Sequence, residues 1–130
     1  MGVDYRASSG YGFAIPEAEA EALAEKLGYE GSEWGFDSWE FGEWLVENSS
    51  ILSSDHVGNL MGGEEIYLLI TASSSTTSLD FYYDSGLVKY GEFEISDRVQ
   101  RELEELYDKL YGEGAHKEGY IGWMLAMTVS

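Results

Sequence analysis

Apolar and polar positions alternate over residues 3–15 with the period of a half-buried strand. Val3 and Tyr5, then Tyr11, Phe13 and Ile15, are separated by small or polar residues. Ser8-Ser9-Gly10 in the middle reads as a turn or a bulge, so the segment is either a strand or a hairpin. Pro16 then opens a helix, because its fixed φ and missing N–H suit the first helical position. That helix, PEAEAEALAEKLG, carries glutamates toward its front and Lys26 at its end, as the macrodipole favours. Gly28 is its stop, and Ala20, Leu23, Ala24 and Leu27 form a narrow apolar stripe suited to close packing on a sheet.

Residues 29–36 are irregular. Asp37 followed by Glu40 then fits a capping box, with Phe36 and Phe41 at the staple positions on either side. A second helix is predicted over about 38–48, with Phe41, Trp44, Leu45 and Asn48 on one face and Glu40, Glu43 and Glu47 on the neighbouring one. Residues 49–63 read as a short strand or loop ending in a glycine pair. Glu65 to Ala72 is nearly continuous β-former sequence and reads as the central strand. SSSTTS after it is an edge continuation or a polar loop, and Leu79 to Ile95 reads as a hairpin about Asp84-Ser85-Gly86.

Ser96 caps a third helix with Val99, Leu103, Leu106 and Leu110 at helical spacing, a Glu105–Lys109 pair on its surface, and Gly112 as its stop. Gly119 to Val129 closes as a strand with Ile121, Trp123, Leu125, Met127 and Val129 on one face. The fold expected is α+β in one domain, 1–130. It has about five mostly antiparallel strands and three helices packed on one face of the sheet.

Composition changes this picture in one respect, charge. The chain is 130 residues long with 25 acids against 7 bases, a formal charge of −18. Its hydrophobic fraction of 44 % and aromatic fraction of 15 % support a packed core rather than disorder. With no cysteine, disulfides and thiolate chemistry are excluded. The N-terminus lacks a signal-peptide layout and no apolar run is long enough to span a bilayer, so a cytoplasmic location is expected. The acidity argues against direct binding to nucleic acid or an anionic membrane and favours a basic protein partner.

Catalytic motifs are absent. There is no nucleophile elbow, and His56 and His116 fall in glycine-bearing segments that read as solvated loops. Asp55-His56 with Glu64-Glu65 has poor spacing for a metal, and Gly58 to Gly63 lacks the ending of a phosphate loop. No catalytic residue, metal or cofactor is therefore assigned. A small-molecule binder or enzyme would need a deep pocket lined by Tyr and Trp.

The acids are unevenly distributed. Lys26 and Lys89 bound 62 positions without a base, and eleven acids fall between them. Duplex DNA carries one charge per ~1.7 Å, or about 21 over a globule of ~36 Å, so the excess charge matches a short duplex if it is gathered on one side. The residues expected to meet a partner are Glu30, Glu33, Trp34, Asp37, Trp39, Glu40, Glu43 and Glu47, with Trp34 and Trp39 as anchors. Generic solubility or a high-salt habitat would also produce an acidic surface.

The opening MGVDY with a glycine-aromatic strand behind it looks like the start of many small accessory proteins of bacterial viruses. In size, acidity and lack of cysteine the chain is similar to phage-encoded inhibitors of host defence, the anti-CRISPR and anti-restriction proteins, several of which imitate nucleic acid. That likeness is one of type and carries over no individual residue. It implies a non-enzymatic inhibitor that occupies the basic nucleic-acid-binding groove of a host defence protein. The alternative is a small assembly protein that oligomerises through a sheet edge or aromatic patch.

Overall fold

The computed structural model describes residues 5–58, 66–80 and 94–129. The first strand, β1 (Tyr5–Pro16), is followed by helices α1 (Glu17–Lys26) and α2 (Ser38–Val46). Strands β2 (Leu52–Gly58), β3 (Ile66–Ala72) and β4 (Thr77–Asp80) come next, then helix α3 (Asp97–Tyr111) and strand β5 (Gly122–Val129). The architecture is α+β, with an antiparallel sheet and three helices.

Residues 5–16 form one continuous strand, not a hairpin. One margin of β1 pairs with β5, through Tyr5↔Val129 to Gly12↔Gly122. Its other margin pairs first with β4, through Arg6↔Asp80 to Ser9↔Thr77, and then with β3, through Gly12↔Thr71 to Pro16↔Tyr67. β3 and β4 thus lie end to end, and β2 flanks β3. Among the described residues five strand segments fill four ranks, β3 and β4 sharing one.

The break between β3 and β4 is a single 3-10 turn at Ser73–Ser75, and Ser75 repairs the ladder there. Its buried Oγ accepts from the Tyr11 N–H at 2.9 Å and donates to the Ala72 carbonyl at 2.7 Å. The polar run SSSTTS is therefore both turn and strand.

Alternation along the strands puts Phe13 and Ile15 opposite Ile70 and Leu68, all on one face. These four, with Leu52 and Ala72, pack against Ala20, Ala24, Phe41, Val99, Leu103 and Leu110 of the three helices in a single buried cluster. Helix α1 approaches closely through its alanines, as its stripe predicts. Helix α2 does so at Gly42, where an added Cβ would stand 3.1 Å from the Ser54 Cβ. Pro16 ends β1 and precedes the first helical residue, so the helix starts at Glu17, one position later than expected.

In a flat sheet β2 and β5 would be about 14 Å apart, three strand spacings. They instead make contact, so the sheet is strongly curled. Gly12 permits this, since a Cβ there would overlap the Ile70 carbonyl. On the face away from the helices Val57, Leu69 and Thr71 are buried as well. Most of the expected hairpin about Asp84-Ser85-Gly86, the opening MGVD and the segment 59–65 fall outside the described residues.

Candidate acidic docking surface

Helix α2 starts as its sequence dictates. The Asp37 Oδ1 accepts from the Trp39 N–H at 2.9 Å, and the Phe36 and Phe41 rings meet at 5.9 Å as a hydrophobic staple. Only half of the expected capping box forms: among the described residues Glu40 returns no bond to the cap, and its carboxylate stays in solvent. Glu40, Glu43 and Glu47 are all exposed, and their three- and four-residue spacings place them on one stripe about 10 Å long. Helix α2 ends at Val46, so Glu47 is its C-cap residue.

Trp39 lies along this stripe. Its indole Nε1 donates to the Glu43 Oε1 at 2.9 Å, and its ring meets His56 edge-on at 6.1 Å. Nearly half of the residue remains exposed, at 47 %. The lead-in to α2 is held by Tyr29, whose ring contacts Phe36, Phe41 and Trp44 at 6.5, 5.3 and 5.1 Å. Beyond it, the Gly35 N–H bonds the Ser32 carbonyl at 3.1 Å and closes a tight turn with Glu33 and Trp34 at its tip. Gly35 has φ of 110°, a conformation that favours glycine. Trp34 is 90 % exposed and Glu30 and Glu33 are also in solvent. Among the described residues no ring contact joins Trp34 to Trp39, so the two tryptophans flank the acids separately.

The field over this region is negative. Tyr29 has its hydroxyl pKa pushed up, first by burial and then by the charges of Glu40 and Asp37. Helix α1, packed on α2, adds Glu21 and Glu25 in solvent, whereas Glu19 accepts from the Tyr111 hydroxyl at 3.1 Å. Three cations of the helical layer are engaged, whereas Arg101 on α3 stays in solvent. Lys26 reaches from α1 to donate to the Leu110 carbonyl at 3.0 Å, and Arg98 pairs with Glu102 at 3.2 Å. Lys109 stands 5.9 Å over the Trp44 ring, a cation–π contact that takes the place of the expected pair with Glu105.

Both histidines contradict their reading as solvated loop residues. His56 is on β2, where alternation with Leu52 and Ser54 turns it toward the helices; its Nε2 is 3.0 Å from the Ser38 Oγ and 3.4 Å from the Glu17 Oε1. Ser38 also donates to Glu17 at 2.9 Å. Hydroxyl and carboxylate meet the same ring nitrogen, so the carboxylate does not orient the imidazole as a serine-hydrolase relay requires. The trio ties α1, α2 and β2 together. His116 is gripped by Asp108, through its Nδ1 at 2.8 Å and its backbone N–H at 2.9 Å, with Glu104 at 3.4 Å from its Nε2. These contacts hold the Asp108 carboxyl below its ordinary range, the backbone bond from His116 being the main cause.

No group of three or more His, Asp or Glu side chains among the described residues is arranged to hold a metal, and Glu64 and Glu65 lie outside them. No helix among them is long and apolar enough to cross a membrane. No family model matches the chain, and neither a curated protein nor a solved structure is detectably similar to it.

Proposed function

We propose that the protein is a non-enzymatic inhibitor whose acidic helical face occupies the basic, nucleic-acid-binding groove of a partner protein. The observation that carries this reading is the stripe Glu40–Glu43–Glu47 with Trp39 lying along it. Three exposed glutamates and a half-exposed indole share one helix face, and helix α2 carries no base. Complementary charge speeds encounter and sets register, while an aromatic side chain that can be desolvated supplies the contact energy. Glu30, Glu33 and Trp34 at the neighbouring turn extend the surface, and Asp37 contributes charge while serving as the cap. The resemblance in type to anti-CRISPR and anti-restriction inhibitors directs the search to host defence proteins in the cytoplasm of an infected cell.

The test is a pull-down from host lysate at low and moderate salt, followed by binding of the captured partner to the E40K/E43K/E47K variant. Capture that weakens steeply with salt, competes with duplex DNA and is lost on charge reversal supports the proposal. Affinity indifferent to all three rejects it.

A second reading, an assembly module, is favoured by a different observation. Tyr120, Trp123 and Leu125 form an exposed apolar strip at and before β5, with Leu125 77 % exposed. Sedimentation at two concentrations separates the readings, because an assembly module self-associates without a basic partner.

A further inference from the structure

The connection from α3 into β5 doubles back on the helix it leaves. It turns at Gly114, with φ of 78°, and passes through a 3-10 turn at Ala115–Lys117. This path lays the partly buried His116 ring between two carboxylates of α3, Glu104 and Asp108, four residues apart. Its Nδ1 is 2.8 and 2.9 Å from the two Asp108 oxygens, and its backbone N–H donates to the same carboxylate at 2.9 Å. Its Nε2 is 3.4 Å from the Glu104 Oε2, an ion-pair distance.

The two carboxylates define the form of the ring that fits. A neutral imidazole with its proton on Nδ1 satisfies Asp108 but turns a lone pair toward the Glu104 oxygen. With its proton on Nε2 instead, the lone pair faces both Asp108 oxygens. Only the imidazolium presents a proton to each carboxylate. Like charges four residues apart also weaken a helix, and a cation between them removes that cost. Asp108 stays ionised while the ring changes charge, because the His116 backbone bond, and next its ring, hold the carboxyl below its ordinary range. The other charges on these two elements are solvated: Arg101 and Glu105 on α3, and Glu113, Lys117 and Glu118 in the turn. Glu104 is anchored in turn, since Gln100 donates to its Oε1 at 3.0 Å and accepts from the Tyr11 hydroxyl of β1 at 2.6 Å. Past His116, Gly119 lies so close to the Tyr107 ring that a Cβ would overlap its hydroxyl, and the Tyr120 hydroxyl donates to the Trp123 carbonyl at 2.7 Å.

We propose that His116 is a pH-sensitive latch: as an imidazolium it bridges Glu104 and Asp108 and holds the lead-in to β5 against α3. When pH rises, Nε2 gives its proton to water while Nδ1 keeps its bond to Asp108. The bridge to Glu104 is then broken, and the turn carrying Gly119 and Tyr120 is held by Asp108 alone. The latch uses no residue of the acidic stripe, so it stands or falls independently of the docking proposal.

The test is an NMR titration of the full chain from about pH 5 to about pH 9, the range in which histidine changes charge, reading the ring nitrogens of His116. The expected result is a ring protonated at both nitrogens that loses the Nε2 proton first, with the Gly119 and Tyr120 amides shifting at the same midpoint. Asp108→Asn should lower that midpoint by about one pH unit, since it removes an opposite charge in contact. Glu104→Gln should lower it as well. His116→Gln should abolish the pH dependence of the Gly119 and Tyr120 amides. The proposal is overturned if Nδ1 loses its proton first, or if neither carboxylate variant moves the midpoint. It is also overturned if the two amides do not follow the ring. The ring and the carboxylate variants decide the matter even where His116→Gln fails to fold.

Discussion

An added methyl at Gly12 would overlap the Ile70 carbonyl and stand 2.8 Å from the Thr71 Cα, both backbone atoms of the adjoining strand. At Gly10 the nearest atom is the Thr71 Cγ2 at 3.1 Å, a side-chain methyl able to shift. Gly12→Ala should therefore cost about 3 kcal/mol, the upper end for overpacking, and Gly10→Ala about 1 kcal/mol. The difference is read from urea midpoints at a common slope; equal costs would mean that the curl does not depend on Gly12. At the far end of the chain, Asp108 tests a different residue-scale device. Its folded carboxyl titrates below the ordinary carboxylate value of about 3.9. The fold thus favours the ionised form, and the resulting stabilisation is complete above that value and lost as pH falls through the folded one. Asp108→Asn should flatten this part of the acid limb of thermal stability, and Asp108→Ala, which also removes the acceptor, should free the His116 amide to exchange. Glycine neighbours made both histidines look solvated. In His56 the strand's own alternation was the better signal, whereas His116 depends on a contact with Asp108 across a glycine-rich turn that no local pattern encodes.

Helix α2 shows how far local chemistry predicts an element. The Asp37 cap, the Phe36–Phe41 staple and the glutamate stripe were all legible in sequence, because each rests on spacing within a few residues. Asp37→Ala should cost about 1 kcal/mol as a lost N-cap. Glu40→Ala should cost much less, since Glu40 is free of the cap and tied into no described hydrogen bond. The sheet was less legible. Its split rank depends on the Ser75 side chain standing in for a ladder carbonyl, which the polar run SSSTTS does not reveal. The exposure of Trp34 was equally hidden, because it follows from where the Ser32–Gly35 turn projects and not from its composition. The same element offers a direct reading of the local field. Burial first, and then the charges of Glu40 and Asp37, raise the Tyr29 pKa, so the neutral phenol is the form favoured by the fold. That contribution is present below the ordinary tyrosine value of about 10 and lost as pH rises through the folded one. Ultraviolet titration of Glu40→Gln should bring Tyr29 back toward its ordinary value. No change would mean that the stripe's charge does not reach the turn.

At the scale of the whole molecule the net charge of −18 acts on folding and on binding with opposite sign. The Debye length is about 30 Å at 0.01 M salt and about 8 Å at 0.15 M, against a globule about 36 Å across. At low salt carboxylates on α1, α2 and the Ser32–Gly35 turn therefore repel one another across the molecule, and at physiological salt only near neighbours do. Added salt should raise the melting temperature by relieving this repulsion, and it should weaken capture of a basic partner. The triple variant E40Q/E43Q/E47Q separates function from generic acidity. It removes three exposed charges while leaving the Asp37 cap and the buried cluster in place, so it should be more stable than the parent at low salt and close to it at high salt. If the stripe is the docking surface, the same variant loses most of its affinity for the partner, with a shallower salt dependence. If the acidity serves only solubility, neutralising three glutamates of the stripe changes capture no more than neutralising three elsewhere, and Glu21, Glu25 and Glu105, all exposed and outside the stripe, supply that control.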